Sequence, residues 1–194
     1  MKVGDAQKLY RAQRATIIDR RRTLLKKKEE LDKKAETTFD LEKREIYANE
    51  AATLELSIGA LNEKFDENQE VLDRLTQQYV SVFNAEASKQ QKDAMEDAAL
   101  EMGRIMETAR RIGRGARVPA SDEKKVMEYS MELYMAAKNL AMMNKMKEKK
   151  EEYDSLWGDE EEKQEYDPEG TAENAETSVG EPEDLGTLGT LPIA

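Results

Sequence analysis

The chain has 194 residues, of which 38% are apolar and 38% charged, with a formal net charge of −11; an ordinary globular domain has roughly 45–50% and about 25%. It contains no cysteine and no histidine, which removes disulfides, thiolate chemistry, the commonest metal ligand and the commonest general acid–base. No apolar stretch approaches the ~18 residues of a membrane span and no signal peptide is visible, so the expected setting is intracellular and soluble, cytoplasmic or carried in a virion.

The charge is split. Residues 151–194 hold fifteen acids and one lysine, a net of −14, while residues 1–150 hold thirty bases and twenty-seven acids, a net of +3. A mildly basic body is followed by an acidic tail. Only eleven residues are Phe, Trp or Tyr, and the apolar residues fall in periodic stripes. The predicted fold class is all-α: an elongated helical hairpin or coiled coil of three to four helices over residues 5–152, with a disordered acidic tail over 153–194.

The first predicted helix covers about 5–34. Tyr10, Ile17, Leu24 and Leu31 recur every seven residues, and Leu9, Ile18 and Leu25 widen the stripe. The intervening seam positions Arg14, Arg21 and Lys28 are basic, so the apolar face is narrow and suits one neighbour. Residues 35–40 make a short link, in which Asp40 or a preceding threonine can cap the next helix. Short links join antiparallel neighbours.

The second helix is predicted over 41–113. Its seam is Ala51, Leu54, Ile58, Leu61, Phe65, Asn68, Leu72, Leu75, Tyr79 and Val82, spaced three and four apart without a slip. That is a heptad pattern for packing on another helix. Its far end, unmatched by the shorter first helix, requires cover from the last helix or from a second copy. Asn68 is the one polar member; it reads either as a register selector or as a seam-edge residue reaching water. Residues 84–94 lose the pattern without a strong breaker, so continuity is favoured over a turn. A second seam, out of phase with the first, follows at Met95, Ala98, Met102, Ile105, Ala109 and Ile112.

Gly113, Gly115 and Pro119 end that helix. Arg110, Arg111, Arg114 and Arg117, with Arg104, cluster there. They read as complements to the helix C-terminus and to nearby acids, ahead of contact with a polyanion, because no aromatics interleave them. Gly113 and Gly115 follow a helix rather than a strand, so a dinucleotide fingerprint is discarded.

Ser121 is the expected cap of a last helix over 122–152, with Asp122 and Glu123 at the positive end of its dipole. Its seam is Val126, Tyr129, Leu133, Ala136, Leu140 and Met143. Six methionines, Met127, Met131, Met135, Met142, Met143 and Met146, crowd it. The expectation is the most buried helix of the bundle; the alternative is an adaptable docking face.

Disorder is expected from about Gly158, because the tail is polar and poor in apolar residues. Two apolar islands interrupt it. Leu156 and Trp157, the only tryptophan, can anchor in a basic-rimmed pocket or fold back on the body. Leu185, Leu188 and Leu191 recur every third residue over a Gly-Thr repeat and suggest a peptide that binds something. A flexible tail can also reach Arg20 to Arg22 or the arginine cluster of its own chain and shield them.

Carboxylate pairs such as Glu63 and Glu67 sit on exposed helix faces, and no spacing marks a metal or acid–base pair. No enzyme activity, cofactor or metal is expected. The expected function is a non-enzymatic interaction or assembly protein, a scaffolding or morphogenesis factor of a phage or mobile element by fold-level analogy. The rival is an inhibitor whose acidic tail competes for a basic nucleic-acid-binding surface. A protein partner is expected, a second copy being one form of it; nucleic acid ranks below protein, and no membrane partner is expected.

Overall fold

The computed structural model describes residues 1–144, 151–158 and 164–190. The chain is all-α: α1 is Val3–Thr37, α2 Leu41–Gly113, α3 Ala120–Tyr129, α4 Met131–Met143 and α5 Pro168–Asn174. Among the described residues there is no strand, only isolated bridges between Lys2 and Glu176 and between Arg117 and Glu152. The chain forms two compact units, Met1–Glu86 with Asp167–Ala194, and Ala87–Tyr166. The helix α2 continues without interruption through residues 84–94.

In the first unit α1 and the first half of α2 form an antiparallel hairpin. The link is as short as the sequence suggests: Thr38 turns extended, and the Asp40 carboxylate accepts hydrogen bonds from the Glu42 and Lys43 amides at 3.1 and 3.4 Å. Capping by Asp40 satisfies donors that the first turn of α2 leaves free. The heptad residues of both helices meet. Ile17, Leu24 and Leu31 of α1 pack with Ala51, Leu54, Ile58 and Leu61 of α2, and Phe65 lies against the same cluster. Burying each of the larger aliphatic side chains favours folding by about 1.5–3 kcal/mol before entropic costs.

The basic seam positions of α1 have specific roles. The guanidinium groups of Arg14 and Arg21 lie 4.9 and 5.4 Å from the Phe65 ring centroid, a cation–π clamp on the seam's aromatic residue. Lys28 bridges Asp32 and Glu55 at 3.3 and 3.6 Å. Asn68 is buried, and its amide donates to the Tyr10 carbonyl at 3.0 Å and to Gln13 Oε1 at 2.7 Å. Its own carbonyl oxygen is buried without a partner. The polar residue therefore faces the partner helix, with its donors used to tie the pairing.

The far end of the seam is covered within the first unit. Val3, Ala6 and Leu75 form a further cluster, on which Tyr79, Ala175 and Val179 pack. The cover is the first turn of α1 together with the chain that follows α5. Asp167 caps α5 by accepting from the Gly170 amide, and Ala172 is fully buried. The Val3 amide donates to the Ala175 carbonyl and the Thr177 amide to the Met1 carbonyl, both at 2.9 Å. The described residues from Asp167 to Thr190 lie along α1 and α2. Their few apolar side chains are placed in a groove that α1 and α2 have already built, so little burial is needed to hold each one.

In the second unit α2 ends as its glycines suggest. Gly115 takes φ +83, its amide donates to the Ile112 carbonyl, and the Ala116 amide donates to the Arg111 carbonyl. This left-handed cap satisfies two carbonyls of the last turn. The predicted last helix is corrected in three respects. It starts at Ala120 rather than at a Ser121 cap, and Ser121 instead donates its hydroxyl to Asp122. It is broken at Ser130, whose backbone is extended at φ −158 and whose hydroxyl accepts from the Leu133 amide at 3.1 Å; serine offers the backbone an alternative to helical pairing. It ends with Asn144 as C-cap, and residues 151–153 are not helical: the Arg117 amide donates to the Glu151 carbonyl at 2.8 Å and the Tyr153 amide to the Arg117 carbonyl at 3.1 Å.

The break divides the third seam. Val126 is buried as the seam requires, but beyond the break it is Ala137 and not Ala136 that joins it against Ile105, Ala109 and Ile112, while Leu133, Tyr134 and Trp157 pack on them. Glu123 ties the two short helices together, accepting from Tyr134 Oη at 3.0 Å and Lys138 Nζ at 2.9 Å.

Candidate functional site

No helix of the described residues is long and apolar enough to cross a membrane. Among them no group of three or more acidic side chains is placed to hold a metal ion. Two shallow surface depressions lie along single helix faces, one around Ile18, Arg22 and Leu25 of α1 and another around Ser88, Met95 and Ala99 of α2. Three other regions are candidates: the arginine cluster, the apolar face of the second unit, and the groove of the hairpin.

The arginine cluster is largely engaged within the chain. Arg110 and Arg111 both pair with Glu107, Arg111 through Nε at 3.1 Å. The Arg111 guanidinium also lies 4.3 Å from the centre of the Tyr153 ring, and Arg117 pairs with Glu152 at 2.9 Å. Burial alone would raise the Glu107 carboxyl above its ordinary value of 4.5, but the hydrogen bonds from Arg111 and Arg110 outweigh it and the net shift is downward. Arg114 is exposed. The arginines thus answer the helix end and neighbouring acids.

Trp157 folds back. Its indole N–H donates to Glu101 at 2.7 Å, and Lys125 Nζ lies 4.6 Å from the ring centre. The fold-back is braced by Asp122, a buried carboxylate on α3. It accepts from Ser155 Oγ at 2.7 Å and from the Leu156 amide at 3.0 Å. Leu156 and Trp157 are both half-buried, so they serve the second unit and are not held out as free anchors. Asp122 is the residue that sequence reasoning missed in this role; its position in a first helical turn pointed to the dipole alone.

The apolar face of the second unit corrects another expectation. Its last helices are not the most buried part of the protein. Ten large apolar residues of the described chain here are between 50% and 81% exposed: Met95, Leu100, Met102 and Met106 on α2, and Tyr129, Met131, Met135, Leu140, Met142 and Met143 after it. Met146 lies outside the described residues. On α2 the second seam is divided: Ile105, Ala109 and Ile112 are covered, whereas Met95, Ala98 and Met102 are open to solvent. The short helices α3 and α4, shortened by the Ser130 break, cover only the end of the stripe.

The hairpin groove holds the tail's second island. Leu185 and Leu188 pack against the cluster around Ile17, Leu24 and Leu61. Arg20 Nη1 donates to the Gly186 and Leu188 carbonyls at 3.0 and 2.7 Å, and Gln13 Nε2 donates to the Glu183 carbonyl at 2.6 Å. Lys64 Nζ bridges Glu67 and Glu183 at 2.8 and 3.0 Å, and the hydrogen bonds from these two carboxylates raise its pKa further. The Gly-Thr repeat forms tight turns, with the Leu188 amide on the Leu185 carbonyl and the Thr190 amide on the Thr187 carbonyl. Leu191 lies outside the described residues. Basic residues of α1 therefore meet the tail as foreseen, but Arg20 grips backbone carbonyls rather than carboxylates.

Comparisons of the chain with protein-family models, with curated proteins and with solved structures find no match.

Proposed function

We propose that the protein is a non-enzymatic interaction or assembly protein that docks a protein partner through the second unit. The observation that carries this reading is the set of half-exposed apolar residues there, seven of the ten being methionine. Met95, Met102 and Met106 share one face of α2 by helical spacing. Exposed apolar surface marks interaction sites in soluble proteins, and unbranched thioether side chains adapt to partners of irregular shape. A scaffolding or morphogenesis role in a phage or mobile element is the specific form of this proposal, resting on architecture by analogy.

The rival, an inhibitor whose acidic tail occupies a partner's basic surface, has less support. Part of that tail is engaged with basic and polar residues of its own hairpin, among them Lys2, Arg20 and Lys64.

The test is chemical crosslinking in the native source with the full chain and with Met102→Asp and Met135→Asp. A single protein partner captured by the wild type, lost in these variants and retained at high salt supports the proposal. Capture that is unchanged in both variants and lost at high salt overturns it in favour of the tail.

A further inference from the structure

The segment after Glu183 is bound to the hairpin as a peptide is bound to a receptor, with each kind of contact serving a separate purpose. Two leucines three residues apart enter the apolar cluster around Leu61. Three backbone carbonyls, those of Glu183, Gly186 and Leu188, accept from Gln13 and Arg20. One acid, Glu183, meets Lys64. The last contact is steric. Gly189 has φ +72, and a Cβ built there would lie 2.5 Å from Leu61 Cδ1 and 3.3 Å from Arg20 Cβ. Only glycine fits, because an L-residue is strained at that φ and has no room for its side chain. The groove thus selects an acidic residue, two leucines in tight turns, and a glycine directly after the second.

The groove side does not need this segment in order to exist. Its walls are the two helices of the hairpin, whose own seam residues Ile17, Leu24, Leu31, Leu54 and Leu61 are packed on one another. The segment rests on top: Leu185 and Leu188 are only partly buried, and the contacts from Gln13, Lys64 and one of the two from Arg20 are exposed. Exposed polar contacts of this kind contribute little each, so the segment is held by individually weak contacts.

We propose that the α1–α2 groove is a peptide-docking site that residues 183–190 fill in cis, and that it takes the same segment of a second copy of this chain when its own segment leaves. The second copy is the occupant because its residues 183–190 carry the identical acid, leucines and glycine. Exchange of one element between identical chains is a low-cost route to a dimer. The inference concerns the hairpin alone and stands or falls independently of docking through the second unit.

Two full-length variants separate groove from ligand. Gly189→Ala spoils the segment and leaves the groove intact; Arg20→Ala spoils the groove and leaves the segment intact. A fluorescent peptide of residues 181–190 is titrated into each by anisotropy, with helicity checked by circular dichroism. The wild-type groove is occupied, so its apparent affinity falls by the fraction that is open, about tenfold or more if that fraction is a tenth or less. Gly189→Ala is therefore expected to bind the peptide at least about tenfold more tightly than the wild type. Arg20→Ala should not bind it, and a peptide with alanine in place of the glycine should bind neither protein. Mixing the two variants should yield a one-to-one complex in sedimentation velocity, because the intact segment of one fits the intact groove of the other. Equal peptide binding by wild type and Gly189→Ala, no binding by either, or no complex in the mixture overturns the proposal.

Discussion

The hairpin of the first unit buries its heptad residues wholly or in part, whereas the second unit leaves the first half of its seam and most of its methionines in solvent. Both stretches of α2 carry apolar residues at helical spacing, and helix propensity does not distinguish them. The difference lies in what arrives to cover them. The first stretch meets a 35-residue antiparallel neighbour with a matching seven-residue repeat. The second meets two helices of 10 and 13 residues separated by an extended serine. A periodic stripe is therefore a demand for cover; the length of the partner decides how much of it is met within the chain.

The comparison breaks most sharply under matched aspartate substitutions. Leu61 is fully buried; truncating such a leucine costs about 2–5 kcal/mol, and an unpaired buried carboxylate adds to that. Leu61→Asp is expected to abolish cooperative unfolding of the hairpin in urea. Met102→Asp, half-exposed on the same helix, should change stability by no more than about 0.5 kcal/mol. Similar losses at the two sites would refute the contrast.

A smaller effect is expected at Asn68. Asn68→Asp removes the donors to Tyr10 and Gln13 and should destabilise by about 1–3 kcal/mol. Asn68→Leu, which restores an apolar seam residue, should cost less, since replacing a buried polar group by one that packs is often close to neutral. Denaturant midpoints of the two variants decide it; a leucine that costs more than the aspartate would show that the amide pairing, not seam packing, holds the register.

Asp122→Ala tests how the second unit retains residues 155–157. Loss of the acceptor for Ser155 and Leu156 should cost about 1–3 kcal/mol and release the indole. Trp157 is the chain's only tryptophan, so its emission should shift to longer wavelength while helicity stays constant. An unshifted spectrum would mean that the Glu101 bond and ring packing suffice.

The smallest expected effect is on pH dependence. Glu107 has its pKa lowered in the fold, so its contribution is present above the unfolded value of 4.5 and is lost as pH falls through the folded one. The end of α2 should loosen as the pH falls below 4.5, and Glu107→Gln should flatten that acid limb in a circular-dichroism titration. An unchanged limb would assign acid loosening to other carboxylates.

The candidate surfaces were legible to different degrees. Asp40 and Gly115 could be read as caps because capping is decided within a few residues. The arginines around Gly113 could be read as complements to a helix end for the same reason. The role of Asp122 could not, because its partners, Ser155 and Leu156, are more than thirty residues away. Ser130 resembled any other polar residue in a helical pattern; the extended backbone it adopts follows from α4 folding back so that Tyr134 and Lys138 reach Glu123.

The helices of the hairpin and their pairing could be read from the sequence alone, whereas the inward place of Asn68 could not. The helices and their pairing follow from a repeat of seven, a short capped link and the cost of leaving an apolar stripe in water, all of which are written along one or two segments. The contacts of the acidic tail depend on packing between distant segments. In isolation Leu185 and Leu188 bury too little to overcome the entropy of ordering the chain around them. Once α1 and α2 have formed a groove with Arg20 and Gln13 on its rim, the same residues need only settle into it, and Gly189 becomes the one residue that can pass Leu61.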